Sequence, residues 1–287
     1  MILLFGATGY VGQKYQEYFK FKNIPYKTES IRYENFLKGE ILDLISKNNP
    51  SFVINCTGYT GIPNVDACED NKHICLDANT YLPHNLAWAC KTLGIGFGHV
   101  SSGCIYSGDK NYNEEDIPNF DKSWYSSTKI RGEKRIKLFY SDNSYIWRLR
   151  IPFDYIDHPK NFISKIIKFD KLTNQYNSIS NINDFVRATT ECYLNKHPYG
   201  VYNVTNPGKV RAQDIAKLLK EKGIVPKNRK WEILEDINEI KKIEKVPRSN
   251  CTLDSSKIIN LGIPLPDIYE SLNKTLDSWN KSDTMYW

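Results

Sequence analysis

The sequence predicts an α/β protein: a doubly wound parallel sheet followed by a smaller C-terminal α+β lobe. Two observations carry this. Short apolar runs alternate with segments of helical periodicity from the chain start to Pro152. The first run, ILLF, leads directly into a glycine-spaced turn, GATGYVG, and then into the helical stretch QKYQEYFK. Beyond Pro152 the rhythm loosens, which marks the second lobe.

Taken in order, residues 2–5 form a buried strand and 25–28 a second one, followed by a helix over 35–47. FVIN at 52–55 reads as a strand buried on both faces. Residues 76–92 read as a helix in which Pro83 marks a kink or a shifted start. A strand over 95–101 ends at Ser102, a helix follows over 126–140, and a strand over 144–150 completes the series. Later helices are expected at 162–169, 211–222, 255–261 and 268–280, with short strands near 202–204 and 231–234. The expected division is a dinucleotide-binding unit at 1–152 and a mainly substrate-binding lobe at 153–287. Segments around 175–206 are expected to return to the first unit's sheet.

The turn supplies the first chemistry. Gly6, Gly9 and Gly12 follow a strand and open a helix, the context of a dinucleotide fingerprint. Glycines let backbone approach a pyrophosphate, and the helix N-terminus faces it with partial positive charge. This makes the sheet Rossmann-type and the cofactor NAD(P). Thr8, Tyr10 and Val11 in the turn, and Thr57, Gly58 and Tyr59 after the third strand, are expected to line it. Asp43 is placed to reach the adenine.

The second constellation is WYSSTK, where Tyr125 and Lys129 stand one helical turn apart. A lysine charge beside a phenol is expected to draw its acidity toward neutral pH. Ser102, at the end of its strand, would orient a carbonyl. Alone, this spacing is common in a chain rich in tyrosine and lysine. Joined to the glycine turn, it points to a reductase.

Composition removes other classes. The chain has 287 residues, 40% hydrophobic and 25% charged, with a formal charge of +6. No dense basic run suggests nucleic acid, and no apolar stretch is long enough to span a membrane. MILLF lacks the regions of a signal peptide. The seven cysteines are odd in number and form no CxxC, so free thiols and a cytoplasmic setting are expected. His73, His84, His99, His158 and His197 lack metal spacing, and no metal is expected.

With these pieces placed, the chain resembles an extended short-chain dehydrogenase/reductase of the dTDP-4-dehydrorhamnose reductase branch. The resemblance runs over nearly the whole length, through GATGYVG, GYTGIPNVDACE, SSGCIY, EEDIPNF, YSSTK, RLRIPF, PKNFISKI, YNVTNPG and VPRSN. Within the branch, the chain is similar to the bifunctional UDP-4-keto-6-deoxyglucose 3,5-epimerase/4-reductases that make UDP-L-rhamnose in plants and giant viruses. GIPNVDACE, GCIY and PKNFISKI together are the specific part.

The resemblance implies that Ser102, Tyr125 and Lys129 perform hydride chemistry, with Tyr125 the proton donor. It implies that Cys104 and Lys165 form the epimerising pair. Cys104 lies two residues beyond Ser102, so on a continuing strand it would point to the same side. Histidine stands in the position of Lys165 in GDP-fucose synthases, which favours the UDP-rhamnose type. Arg32 would hold the 2′-phosphate of NADPH; Glu29 in the same region leaves NADH open. Arg248 and Asn250 would meet the diphosphate of a UDP-sugar. Thr60, Gly61, Val65, Asn79 and Asn161, with Ser102 and Cys104, would surround the sugar. A homodimer is compatible with the resemblance. Two other readings stand beside it: a 4-ketoreductase alone, and a non-catalytic NADP-binding regulatory subunit, against which the intact Ser102, Tyr125 and Lys129 argue.

Overall fold

The computed structural model describes residues 1–31, 38–235 and 245–280. Arg32 lies outside the described residues. Six strands form one all-parallel sheet: β1 (Ile2–Phe5), β2 (Tyr26–Glu29), β3 (Phe52–Asn55), β4 (Gly96–Ser102), β5 (Ser144–Leu149) and β6 (Gly200–Asn203), in the order β6-β5-β4-β3-β1-β2. The apolar runs at β1 and β3 are buried on both faces, as parallel strands covered by helices require.

The pleat sends alternate residues to opposite cores. Ile2, Leu4, Phe52 and Ile54 pack with Tyr15, Tyr18 and Phe19 of α1 (Tyr10–Phe21), while Leu3, Phe5 and Val53 pack with Ile41, Ile45, Leu82, Leu86 and Ile136. The second group lies on α2 (Lys38–Asn48), α3 (Leu82–Thr92) and α4 (Trp124–Tyr140). The sheet is thus covered on both sides. Its order reverses between β1 and β3, where such sheets open a crevice for ligands.

The helix expected over 76–92 is interrupted. Lys72–Leu76 passes into a π-turn at Asp77–Tyr81, and α3 starts with Pro83 in its first turn. Proline lacks the N–H that a helix interior needs and is accommodated at a start. The strand expected through residue 150 ends at Leu149, and Ile151 takes a left-handed φ of 39°.

A third core joins α5 (Phe162–Lys168), α7 (Ala212–Glu221) and α8 (Ile268–Asp277) with the strand pair Lys171–Thr173 and Glu232–Leu234. Between α5 and α7, the helix α6 (Ile182–Leu194) packs on α1, and β6 extends the main sheet. No helix was expected over 182–194, although Ile182, Phe185, Val186 and Thr189 recur at helical spacing and are buried. Two contacts tie α1 to the segment that leads into α5. Lys14 Nζ lies 2.9 Å from Asp154 Oδ2, both nearly inaccessible, and the rings of Tyr10 and His158 stack at 4.4 Å. Among the described residues no helix is long and apolar enough to cross a membrane.

Candidate active site

The glycine turn has the close approach its spacing predicts. Gly6 takes φ +77°, and a Cβ there would fall 2.7 Å from the carbonyl carbon of Cys56 at the end of β3. A Cβ on Gly12 would meet the Gly6 carbonyl oxygen at 2.2 Å, so α1 sits directly against the turn. Gly9 is the N-cap of α1 and supplies no side-chain cap, and the first turn holds no acidic residue. Its leading N–H groups suit an anion. Thr8 is exposed in this turn, Val11 is half-buried, and Tyr10 is buried beneath it. Asp43 lies exposed on α2.

On the far side of the crevice, Asn55 at the end of β3 accepts from the Thr57 N–H at 2.9 Å and from its hydroxyl at 2.5 Å. This sets the course of Thr57, Gly58 and Tyr59. Asn79 then fixes the loop. Its Oδ1 accepts from Tyr59 N at 2.9 Å, and its Nδ2 donates to Tyr59 O at 2.9 Å and toward Thr128 Oγ1 at 3.2 Å on α4. Asn79 is wholly buried, with both ends of its amide engaged. Its expected substrate contact is therefore corrected: it positions the loop and α4.

Ser123 caps α4 by accepting from Ser126 N, which presents Tyr125 and Lys129 from the first turns of the helix. The Tyr125 hydroxyl faces Ser102 at the end of β4. The expectation that Lys129 draws the phenol toward neutral pH is not met. Enclosure of the hydroxyl, although the residue keeps some exposed surface, pushes Tyr125 up, Cys104 adds to this, and the neighbouring Ser102 hydroxyl only partly opposes it. Lys129 directs its ammonium elsewhere. It lies 3.5 Å from Val100 O, and 3.2 Å from where a Gly58 Cβ would stand. Burial pushes Lys129 down to about 8.

Cys104 stands beside this pair by a different route from the one expected. β4 stops at Ser102, and residues 103–105 turn. The turn is held by Cys104 N donating to Ser102 Oγ at 3.1 Å and Ser126 Oγ donating to Cys104 O at 2.6 Å. The thiol is half-buried. Lys165 of α5 is also half-buried, and burial, then Lys160 and Arg248, push its ammonium down, with Cys104 opposing. Ser102, Tyr125 and Cys104 thus lie together where β4, α4 and the turn meet, and Lys165 of α5 interacts electrostatically with Cys104.

At the outer end, Arg248 Nη2 donates to Asp66 Oδ2 at 2.8 Å. Asn250 accepts from Asn177 at 3.2 Å, and its carbonyl accepts from Gly108 N at 2.9 Å. Thr60 and Val65 are half-buried in the loop that turns at Gly61. Asn161 does not line this pocket. It is wholly buried as the N-cap of α5, accepting from Ile163 N and donating to the carbonyls of Asp154 and Ile156. Two residues escaped sequence reading. Asp66, inside GIPNVDACE, pairs with Arg248, and Arg150, inside RLRIPF, touches the Cys104 sulfur at 3.5 Å. Both lay within quoted motifs, but charge alone gave no signal of their partners. Among the described residues no group of three metal-binding side chains is assembled.

Comparison with known proteins identifies the family of the chain. The family described as RmlD substrate binding domain matches residues 1–280. A bifunctional dTDP-4-dehydrorhamnose 3,5-epimerase/dTDP-4-dehydrorhamnose reductase of Arabidopsis thaliana is 31% identical over 97% of this chain and 93% of its own length. A trifunctional UDP-glucose 4,6-dehydratase/UDP-4-keto-6-deoxy-D-glucose 3,5-epimerase/UDP-4-keto-L-rhamnose-reductase of the same plant is also 31% identical over 97% of the chain, which spans only 42% of that relative. The solved structure of a UDP-rhamnose synthase from Acanthamoeba polyphaga mimivirus superposes with a TM-score of 0.89 at 26% identity, covering 96% of this chain and 98% of the other. On the match over residues 1–280 and the similarity to the plant enzyme, the chain belongs to the RmlD substrate-binding-domain family.

Proposed function

We propose that this protein is an NADPH-dependent nucleotide-sugar 4-ketoreductase that also epimerises C3 and C5, converting UDP-4-keto-6-deoxy-D-glucose to UDP-L-rhamnose. The reading rests on Ser102, Tyr125 and Cys104 lying together where β4 meets α4, with the Lys165 ammonium within the electrostatic reach of Cys104. The activities of the plant relatives and of the viral synthase support the same reading. NADPH, when bound, supplies hydride to C4.

The residues of the chain fit a dinucleotide. The uncapped start of α1 takes the pyrophosphate, and Lys129, aimed at Gly58, takes ribose hydroxyls. Ser102 holds the C4 carbonyl by hydrogen bond, and Tyr125 delivers its proton to the oxygen as negative charge develops there. A phenol pushed up by burial stays protonated through the neutral range, which suits a donor. For epimerisation, the C4 ketone acidifies the protons at C3 and C5. Cys104 and Lys165 take and return them on opposite faces of the ring. Arg248 meets the diphosphate, exchanging its contact with Asp66 for the nucleotide.

The test is incubation with UDP-4-keto-6-deoxyglucose and NADPH in heavy water, followed by NMR. UDP-L-rhamnose labelled at C3 and C5 is expected. A reduced, unlabelled and unepimerised sugar would leave a ketoreductase only. No reaction with cofactor bound would favour the regulatory-subunit reading.

A further inference from the structure

Arg150 is a fully buried cation that the reduction chemistry does not use. It follows β5 directly and has no exposed surface. Its Nη1 donates to Gly103 O at 3.2 Å and Ser249 Oγ at 3.1 Å, and reaches Cys104 Sγ at 3.5 Å. Its Nη2 donates to Ser249 O at 3.0 Å and to Asn177 Oδ1. Nε has no partner. None of these partners is a carboxylate, and among the described residues no Asp or Glu forms an ion pair with Arg150. Arg148, two residues earlier and equally buried, is matched by Glu133 at 2.8 Å.

A guanidinium stays charged, and an uncompensated buried charge is strongly unfavourable. An anion belongs beside Arg150. Among the described residues the Cys104 thiol is the one hydrogen-bond partner of Arg150 that can become an anion. Cys251 is nearby, but burial pushes its thiol up and its sulfur donates to Gly103 O at 3.7 Å, which suits the neutral form. The other titratable groups facing Cys104 are the ammonium groups of Lys129 and Lys165 and the phenol of Tyr125.

We infer that Arg150 is a positioning residue for epimerisation: its guanidinium is the counter-ion of a Cys104 thiolate and aims that sulfur at the sugar ring. The inference rests on the reading of Cys104 given above and assigns it the proton-accepting role. The C–H electron pair becomes the π-bond of an enolate with its charge on the C4 oxygen, and the proton moves to sulfur. The Lys165 ammonium returns a proton to the opposite face, and thiol and amine then re-equilibrate with water. No oxidant or reductant is consumed.

The test uses the full chain. Iodoacetamide alkylation of Cys104 is followed across pH by peptide mass spectrometry, alongside deuterium exchange at C3 and C5. For Arg150→Gln, the alkylation midpoint should rise by ~1 pH unit or more, and exchange should fall at least ~10-fold relative to reduction. A midpoint that does not move overturns the inference. Because Arg150→Gln removes a buried group and its folding is not assured, a second measurement compares Cys104→Asp with Cys104→Asn. A permanent carboxylate beside Arg150 should melt higher than the neutral isostere at pH 7, and the opposite order overturns the inference. Cys104→Ser separates the two levels. Parental exchange in that variant removes Cys104 from the reaction; lost exchange there with an unmoved Arg150→Gln profile removes only the role of Arg150.

Discussion

Asn79 grips Tyr59 at both backbone atoms, accepting from its N–H and donating to its carbonyl at 2.9 Å each. The same amide reaches Thr128, so one buried side chain joins the loop after β3 to the helix that carries Tyr125 and Lys129. Asn79→Ala should cost about 2–4 kcal/mol, because it leaves partly buried backbone groups without partners. It should also weaken cofactor binding, since Gly58 and Tyr59 lose their anchor. Urea denaturation and cofactor titration check both. A stable variant with loose cofactor binding would confine the clamp to the loop. A variant unchanged in both would show that water replaces the amide.

Tyr125→Phe keeps the ring and removes the proton. Reduction should fall by about 10²–10⁴-fold, the usual contribution of a positioned acid. Cofactor affinity should stay within about threefold, because Lys129 is held by α4 and directed at Gly58, independent of the phenol. Single-turnover oxidation of NADPH gives the rate and fluorescence titration the affinity. Undiminished turnover would exclude Tyr125 as the donor.

The parts readable in the sequence were those with strong local rules. Apolar runs such as FVIN and the glycine spacing need only their neighbours to be interpreted, and β1, β3, β4 and the turn lie where they were expected. Ser102, Tyr125 and Lys129 followed from spacing and strand position, whereas Cys104 and Lys165 came from the resemblance alone. Most of what failed depended on distant partners. Asn79 is a polar residue whose amide is consumed by the backbone of Tyr59, which no spacing reveals; Asn161 failed for a local reason, its amide being used to cap α5 and to hold the carbonyls of Asp154 and Ile156. Arg150 is a buried cation with which no Asp or Glu among the described residues forms an ion pair. The direction of the Tyr125 shift turned on burial, which a four-residue interval cannot measure.

Glu29 ends β2 opposite Phe5, beside the turn, and accepts from Asn48 Nδ2 at 2.9 Å. A carboxylate there favours a free ribose hydroxyl and repels a 2′-phosphate. Glu29→Ala should lower the KM for NADPH a few-fold and raise that for NADH. Arg32→Ala should do the reverse. Steady-state kinetics with each cofactor separates them. Equal effects of Glu29→Ala on both cofactors would assign the carboxylate to its contact with Asn48 alone.

Lys129 makes the sharpest pH prediction. Its folded-state value lies near 8, against 10.5 for the free side chain, because burial disfavours the ammonium. That difference is a penalty of about 3 kcal/mol on the charged form. Below pH 8 both folded and unfolded chains carry the charge, so the folded chain bears the whole penalty. Between about 8 and 10.5 the folded chain has released a proton that the unfolded chain still holds, and stability rises with pH. Lys129→Met should therefore be more stable than the parent at pH 7, by up to about 3 kcal/mol, with the gap closing as pH approaches 10.5. Urea midpoints for the cofactor-free proteins at several pH values test this. A gap independent of pH would trace to packing of the methionine and would remove the buried charge from the account. Reduction by the parent should decline above pH 8, as Lys129 loses the charge that holds the ribose while Tyr125 keeps its proton. Loss of cofactor affinity over the same pH range would assign that decline to Lys129; a decline at constant affinity would assign it to the proton donor.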